Sequence, residues 1–215
     1  MATLRNLFTV FLFIFSFGAQ SAHSAEPIGI ASVVMHDVTI NRDGLTAPLS
    51  ATKGAEIFSG DVITTISDDS FVRIDFVDET NITMNGEQSE LTIDEYIFDP
   101  KSVDMSKAKF QILRGSFEFV GGLIDKGEGE NVQIDLDFGS IGVRGTKILR
   151  AMRDKECWIF LEDGEIRVFN DAGEVFLKPG DGTRMRDTAI APTDVKPWGQ
   201  KNIDWIKSEV ALPAE

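Results

Sequence analysis

The sequence predicts a mainly β protein, a single domain of many short strands stacked as a sandwich, a roll or a solenoid-like coil, closed by a short C-terminal helix or tail. Three observations point there. Apolar and polar residues alternate with a period of two through much of the chain beyond Ile30, as in Val72-Arg73-Ile74-Asp75-Phe76, which sends successive side chains to opposite faces of a pleated strand. Turn-forming pairs stand between such runs at Asp43-Gly44, Asn85-Gly86, Asp163-Gly164, Ala172-Gly173 and Pro179-Gly180, and strands recurring every ~8 to 12 residues between turns mark an all-β sandwich or barrel. A helical period emerges only near the C-terminus.

Taken in order, the chain opens with Arg5 and an unbroken apolar run from Leu7 to Phe15, followed by the small residues Ala22-His23-Ser24-Ala25. The run is too short for a bilayer, which takes ~20 apolar residues, and its flanks are those of a secretory signal peptide over residues 1–25. The expectation is an exported, periplasmic protein with no stable membrane insertion after cleavage. The β domain is expected over residues 30–190. Its first strand, in Val33-Val34-Met35-His36-Asp37-Val38, places His36 with Val34 and Val38 on one face as a half-buried histidine satisfied by a polar neighbour. Further strands are read from Val72, Ile74 and Phe76, from Leu91 and Ile93, from Phe117 and Phe119, and from Val132, Ile134, Leu136 and Phe138. The stretch from Asp99 to Lys107 reads as a surface loop. Cys157 to Leu177 reads as a three-stranded meander, with turns at Glu162–Gly164 and Asn170–Gly173. In the tail, residues 191–215, the spacing of Trp198, Ile203, Trp205, Ile206 and Val210 predicts one amphipathic helix between Gly199 and Pro213 that folds its tryptophans back on the sheet.

Composition narrows the chemistry. The chain carries 35 acidic and 21 basic residues, a net of −14; removal of residues 1–25 takes away only Arg5 among them. Such a surface repels nucleic acid and anionic lipid and favours cationic partners. Beyond the signal segment there is one histidine, His36, and one cysteine, Cys157. That excludes an intramolecular disulfide and a zinc site built of several histidines and cysteines, and leaves nucleophilic catalysis without its usual base. Cys157, beside Trp158 in an apolar run, reads as a small core residue. Carboxylates are plentiful, but none follows a calcium-loop spacing, no pair stands out as a hydrolytic acid and base, and Asp135 with Asp137 reads as a solvated strand face. Asn81-Ile82-Thr83 fits the glycosylation acceptor pattern only by accident in a bacterial periplasm. No cofactor, catalytic residue or metal ligand is expected.

One stretch breaks the alternation: Gly139-Ser140-Ile141-Gly142-Val143-Arg144-Gly145-Thr146-Lys147. A phosphate-binding loop needs Gly-Lys-Ser/Thr ahead of a helix, and here Gly-Thr-Lys precedes a strand. Glycines between strands serve instead as a bulge or a tight crossing of backbones, with Arg144 expected to clamp the corner through a carboxylate. With Gly60-Asp61, the strand at Val72–Phe76, the block Glu90-Leu91-Thr92-Ile93 and Arg114-Gly115, this motif resembles the FecR protein domain, which carries a Gly-x-Arg-Gly-Thr signature. The likeness runs over about residues 30–186, with its core at 55–152, and its signature positions are Gly142, Arg144, Gly145 and Thr146. The resemblance implies a non-enzymatic, extracytoplasmic β domain that binds another envelope protein in signalling or transport. No anti-sigma segment and no internal membrane span is read in this sequence, so it is similar to stand-alone, secreted members. The alternative is a cell-envelope polysaccharide- or calcium-binding protein using Trp198 or Tyr96 as stacking platforms.

Overall fold

The computed structural model describes residues 26–212, so the predicted signal segment lies outside the described residues. The fold is mainly β, as the alternation predicted. Its strands are β1 (Gly29–Met35), β2 (Val38–Asn41), β3 (Leu49–Ser50), β4 (Glu56–Ile57), β5 (Val62–Thr65), β6 (Phe71–Phe76), β7 (Asn81–Ile97), β8 (Lys107–Val120), β9 (Val132–Leu136), β10 (Gly139–Arg153), β11 (Glu156–Asn170), β12 (Gly173–Leu177), β13 (Asp181–Met185) and β14 (Lys196–Pro197), followed by one helix, α1 (Gln200–Val210). Hydrogen bonds join them into a single open sheet of 14 strands.

Four strands of 14 to 17 residues, β7, β8, β10 and β11, set the architecture. Each bends and serves two layers. Phe110 and Phe119 lie nine residues apart on β8, about 30 Å if the strand ran straight, yet their ring centroids are 6.3 Å apart. The fold-back occurs at Gly115, whose φ of +82° suits glycine and whose missing Cβ leaves room for Ser89 of β7. One layer contains β6, the first half of β7, the second halves of β8 and β10, the first half of β11, and β13; the other contains β2, β5, the second half of β7, the first half of β8, β9, the first half of β10, the second half of β11, and β12. Phe76 bridges the layers, 5.3 Å from both Tyr96 and Phe110. One apolar core of alternate residues fills the space between.

The bends lie at opposite ends of the molecule. In one layer Lys147 of β10 faces Val120 of β8. In the other, β9 lies between them and aligns Val143 with Ala108. The hairpin of β7 and β8 therefore folds over one end, near Ser89 and Gly115, and the hairpin of β10 and β11 folds over the other, near Gly145 and Gly164.

Three local readings are corrected. Asp163-Gly164 is not a hairpin turn: β11 runs unbroken from Glu156 to Asn170, and the expected meander is one long bent strand followed by β12. Asn85-Gly86 likewise lies inside β7, where the register against β8 shifts between Asn85 and Glu90. A glycine with positive φ serves a strand bulge as readily as a turn, which is why both sites read as turns. His36 is not on a strand face; with φ +55° it breaks β1 from β2 and stands exposed, its Nε2 3.5 Å from Asp69.

The tail folds back as predicted. Helix α1 buries Ile206 and Val210 against Leu149, Ala151 and Phe160 on the outer face of one layer. Trp198 stacks on Phe160 at 5.5 Å between ring centroids and meets Trp158 edge-on at 5.3 Å, over Gly182, where a Cβ would meet its indole at 2.1 Å. Asn85 donates to the carbonyls of Glu209 and Ala211 and ties down the helix end.

Candidate functional site

The glycine motif forms the corner at which β10 crosses between layers. Gly145 has φ +66° and Gly164, facing it on β11, φ +87°. A Cβ on Gly164 would lie 2.0 Å from the Gly145 carbonyl oxygen, while one on Gly145 meets open space. The two backbones approach closely enough that only one of the two positions has room for a side chain.

A carboxylate fastens this corner, but not through Arg144. Asp125, 1% exposed in the segment after β8, accepts hydrogen bonds from the backbone amides of Gly145 and, at 2.8 Å, Thr146. Burial raises its pKa against the opposing effect of those two amides, and the nearby Asp78 adds to the rise. Arg144 is exposed and takes part in none of the described ion pairs; the expected clamp is thus replaced by a buried acid acting on main-chain donors. The physical reason is that buried amides must be satisfied, whereas an exposed guanidinium is satisfied by water. Gly142 lies beneath the Glu130 carboxylate, 2.5 Å from where its Cβ would be, and Thr146 is buried.

Behind the corner a second buried carboxylate organises the same end of the sandwich. Asp78 accepts from the Tyr96 hydroxyl at 2.6 Å, from the Thr80 hydroxyl at 2.7 Å, and from the amides of Thr80 and Ile124 at 3.2 Å. Burial, reinforced by Asp78, pushes the Tyr96 phenol far above its usual range. Tyr96 comes from one layer and Asp78 from the turn of the other, so the network pins the layers together. At the opposite end Arg150, fully buried, donates to Asp137 at 3.0 Å, to the Gly115 carbonyl and to Cys157 Sγ at 3.2 Å. Cys157 is a core residue, as predicted, and burial raises its thiol pKa.

Asp135 and Asp137 do not form a solvated face. Asp137 lies in the turn after β9 and holds Arg150, while Asp135 accepts from Gln133, Ser140 and Lys109. Those contacts hold the Asp135 pKa below its usual value although burial opposes them. Among the described residues no group of three or more His, Cys, Asp and Glu side chains converges as metal ligands. Trp198 and Tyr96, each 8% exposed, are core-packed and offer no stacking platform. Of the residues missed, Arg150 had a signal, since it replaces an apolar side chain between Ile148 and Met152. Asp78 and Asp125 had none.

What the corner presents outward is Arg144, at the boundary of two shallow grooves. One is lined by Lys126, Glu128, Asp163 and Glu165. The other, on the outer face of the layer ending in β12, is lined by Glu130, Gly142, Arg167, Phe176 and Lys178. In it Arg167 grips Glu130 at 2.9 and 2.8 Å and Glu174 at 3.1 Å, which holds the Glu130 pKa low. Phe176 is 65% exposed.

No family model and no curated protein matches the chain. Among the solved structures that resemble it are two crystal structures of a candidate anti-sigma factor from Parabacteroides distasonis ATCC 8503. One superposes with a TM-score of 0.51 at 14% identity, over 66% of this chain and 63% of that one. The other gives a TM-score of 0.53 at 15% identity, over 68% of this chain and 64% of that one. The chain thus spans just under two thirds of the length of these structures. At such identity the likeness is one of fold.

Proposed function

We propose that this chain is a non-enzymatic, FecR-like regulatory module of the cell envelope that acts by binding another envelope protein after export to the periplasm. The observation that carries this reading is the use of its buried ionisable groups. Asp78, Asp125, Tyr96 and Arg150 are spent on backbone amides, carbonyls and carboxylates of the fold, and Asp125, at the floor of the groove beside Arg144, is itself held by two main-chain amides. The Gly-Val-Arg-Gly-Thr corner, fastened by Asp125, turns Arg144 to solvent beside a charged groove with an exposed aromatic. A preorganised surface of this kind suits recognition. The likeness in fold to a candidate anti-sigma factor is consistent with a regulatory role.

The test is capture of a partner from a periplasmic and outer-membrane extract by the immobilised protein, at low and at high salt. A single abundant partner retained by the wild type and lost on Arg144→Glu supports the reading. Capture of nothing at either salt, or turnover of a glycan or peptide panel by the purified protein, overturns it.

A further inference from the structure

We infer that Asn85 is a site of hydrolytic deamidation, and that its conversion to a carboxylate releases helix α1 from the sheet. Asn85-Gly86 is the one Asn-Gly pair in the chain. It lies inside β7 with both residues half-buried, Gly86 at φ +93° and open space where its Cβ would stand. A glycine after asparagine leaves its main-chain nitrogen without steric cover, so that nitrogen can attack the side-chain carbonyl carbon. The new N–Cγ bond closes a cyclic imide, the Cγ–Nδ2 bond breaks, and Nδ2 leaves as ammonia with the hydrogen given up by the Gly86 nitrogen. Water then opens the ring at either carbonyl and returns a hydrogen to that nitrogen, giving aspartate or the isomer whose main chain runs through Cγ.

The work done by the amide in the folded protein gives the reaction its consequence. Asn85 Nδ2 donates to the carbonyls of Glu209 at 3.1 Å and Ala211 at 3.2 Å. The last carbonyls of a helix have no intrahelical partner, so a side chain of β7 serves as the C-terminal cap of α1. Local sequence gives this helix little help. It is 11 residues long, starts at Gly199 without a side-chain cap and carries no acid in its first turn, and isolated helices shorter than ~12–15 residues are marginal in water. A carboxylate at position 85 has no hydrogen to give and faces two carbonyl oxygens at the negative end of the helix dipole. The cations lining the groove at this end of α1 are already engaged, Arg73 by Asp75, Lys147 by Glu118 and Glu162, and Lys207 by Glu162. The same contacts set the rate. While α1 is docked its carbonyls hold the carboxamide, and the Gly86 N–H donates to the Ser70 carbonyl at 3.2 Å, so ring closure waits for the helix end to lift. After reaction the cap is gone, and the face of Leu149, Ala151 and Phe160 that α1 covers is uncovered. The change runs one way only.

The experiment incubates the purified protein at mildly alkaline pH beside a synthetic peptide spanning residues 81–90, and follows the replacement of NH2 by OH at Asn85 by peptide mass spectrometry. Asn85 is expected to convert ahead of the other asparagines, more slowly in the protein than in the peptide. Val210→Ser, which loosens the buried end of α1, is expected to speed conversion by about tenfold through a larger open population. Lys207→Ala, at an exposed position that ties α1 to Glu162, acts in the same direction and keeps the test valid if the first variant fails to fold. Separately, Asn85→Asp is expected to speed backbone hydrogen exchange across residues 200–210 by about tenfold, on the scale of one or two lost hydrogen bonds, while the strands keep their protection. An amide at position 85 that survives in wild type and both helix variants while the peptide converts fully overturns the proposal. So do equal rates of conversion in wild type and both helix variants, or exchange across the helix in Asn85→Asp equal to that of wild type.

Discussion

Replacing Asp125 by asparagine isolates the fastening of the corner. The change conserves shape but turns one acceptor into a donor that faces the amide of Gly145 or Thr146. Hydrogen bonds to a charged group contribute about 1.5–3 kcal/mol each, and a buried amide left without an acceptor costs about 1–3 kcal/mol. Relief of the charge's own burial, visible in its raised pKa, offsets part of this. The net expectation is a loss of about 2–3 kcal/mol, or a melting temperature lower by about 4–12 °C for a chain of this size, measured by circular dichroism at neutral pH. The difference depends on pH. Because the folded pKa of Asp125 lies above its unfolded value, the native state binds the proton more readily between the two, so this group's contribution to stability rises as pH falls through the folded pKa and is weakest above it. The asparagine does not titrate, so the gap between the two proteins widens as pH falls through the folded pKa of Asp125 and is smallest above it. A variant that melts within 2 °C of wild type at pH 7, or a gap that narrows on acidification, would refute the account of the corner.

Arg144→Lys and Arg144→Ala are expected to change stability by less than about 0.5 kcal/mol, as for other exposed side chains without partners; a melting temperature that falls by several degrees would restore the clamp. Gly164→Ala places its Cβ 2.0 Å from the Gly145 carbonyl and is expected to lose more than about 3 kcal/mol, while Gly145→Ala, with open space around it, costs only the left-handed conformation, about 1–2 kcal/mol. Chemical denaturation of the two variants side by side checks this order. Arg150→Met leaves Asp137 without its cation and the Gly115 carbonyl without its donor, a loss of about 3–5 kcal/mol, read as a shifted urea midpoint. Trp198→Ala removes the ring stacked on Phe160 and is expected to cost about 3–5 kcal/mol, with quenched fluorescence of the remaining tryptophans revealing the released helix.

Much of the fold was legible because it rests on local patterns. The alternation at Val72–Phe76 and at Val132–Leu136 marks strands whose inner residues are buried in the same register. The spacing of Ile203, Ile206 and Val210 marks one helical face. What stayed hidden depends on partners distant in sequence. Asp125 reaches amides twenty residues away, and a lone aspartate in a loop has the same local appearance whether it faces water or a backbone. Arg144 was assigned a structural acid because acids abound, but the buried donors at the corner are amides, and those decided where the carboxylate went. Gly164 and Gly86 signalled a positive φ without saying whether the chain reverses there or only bends. Arg150 was visible as a fault in the alternation, and the core tolerates it because Asp137 and two sulfurs, Cys157 and Met152, stand within reach.

That the two long hairpins fold over opposite ends has a consequence for how the molecule comes apart. Each hairpin is half of either slab, so no stretch of chain owns a complete hydrophobic unit, and peeling one hairpin away strips a wall from the other. Partial unfolding leaves little that is stable in isolation, and protease cleavage inside a long strand would bring down the whole. Assembly must also wait for segments far apart in sequence to meet, which makes for slow folding.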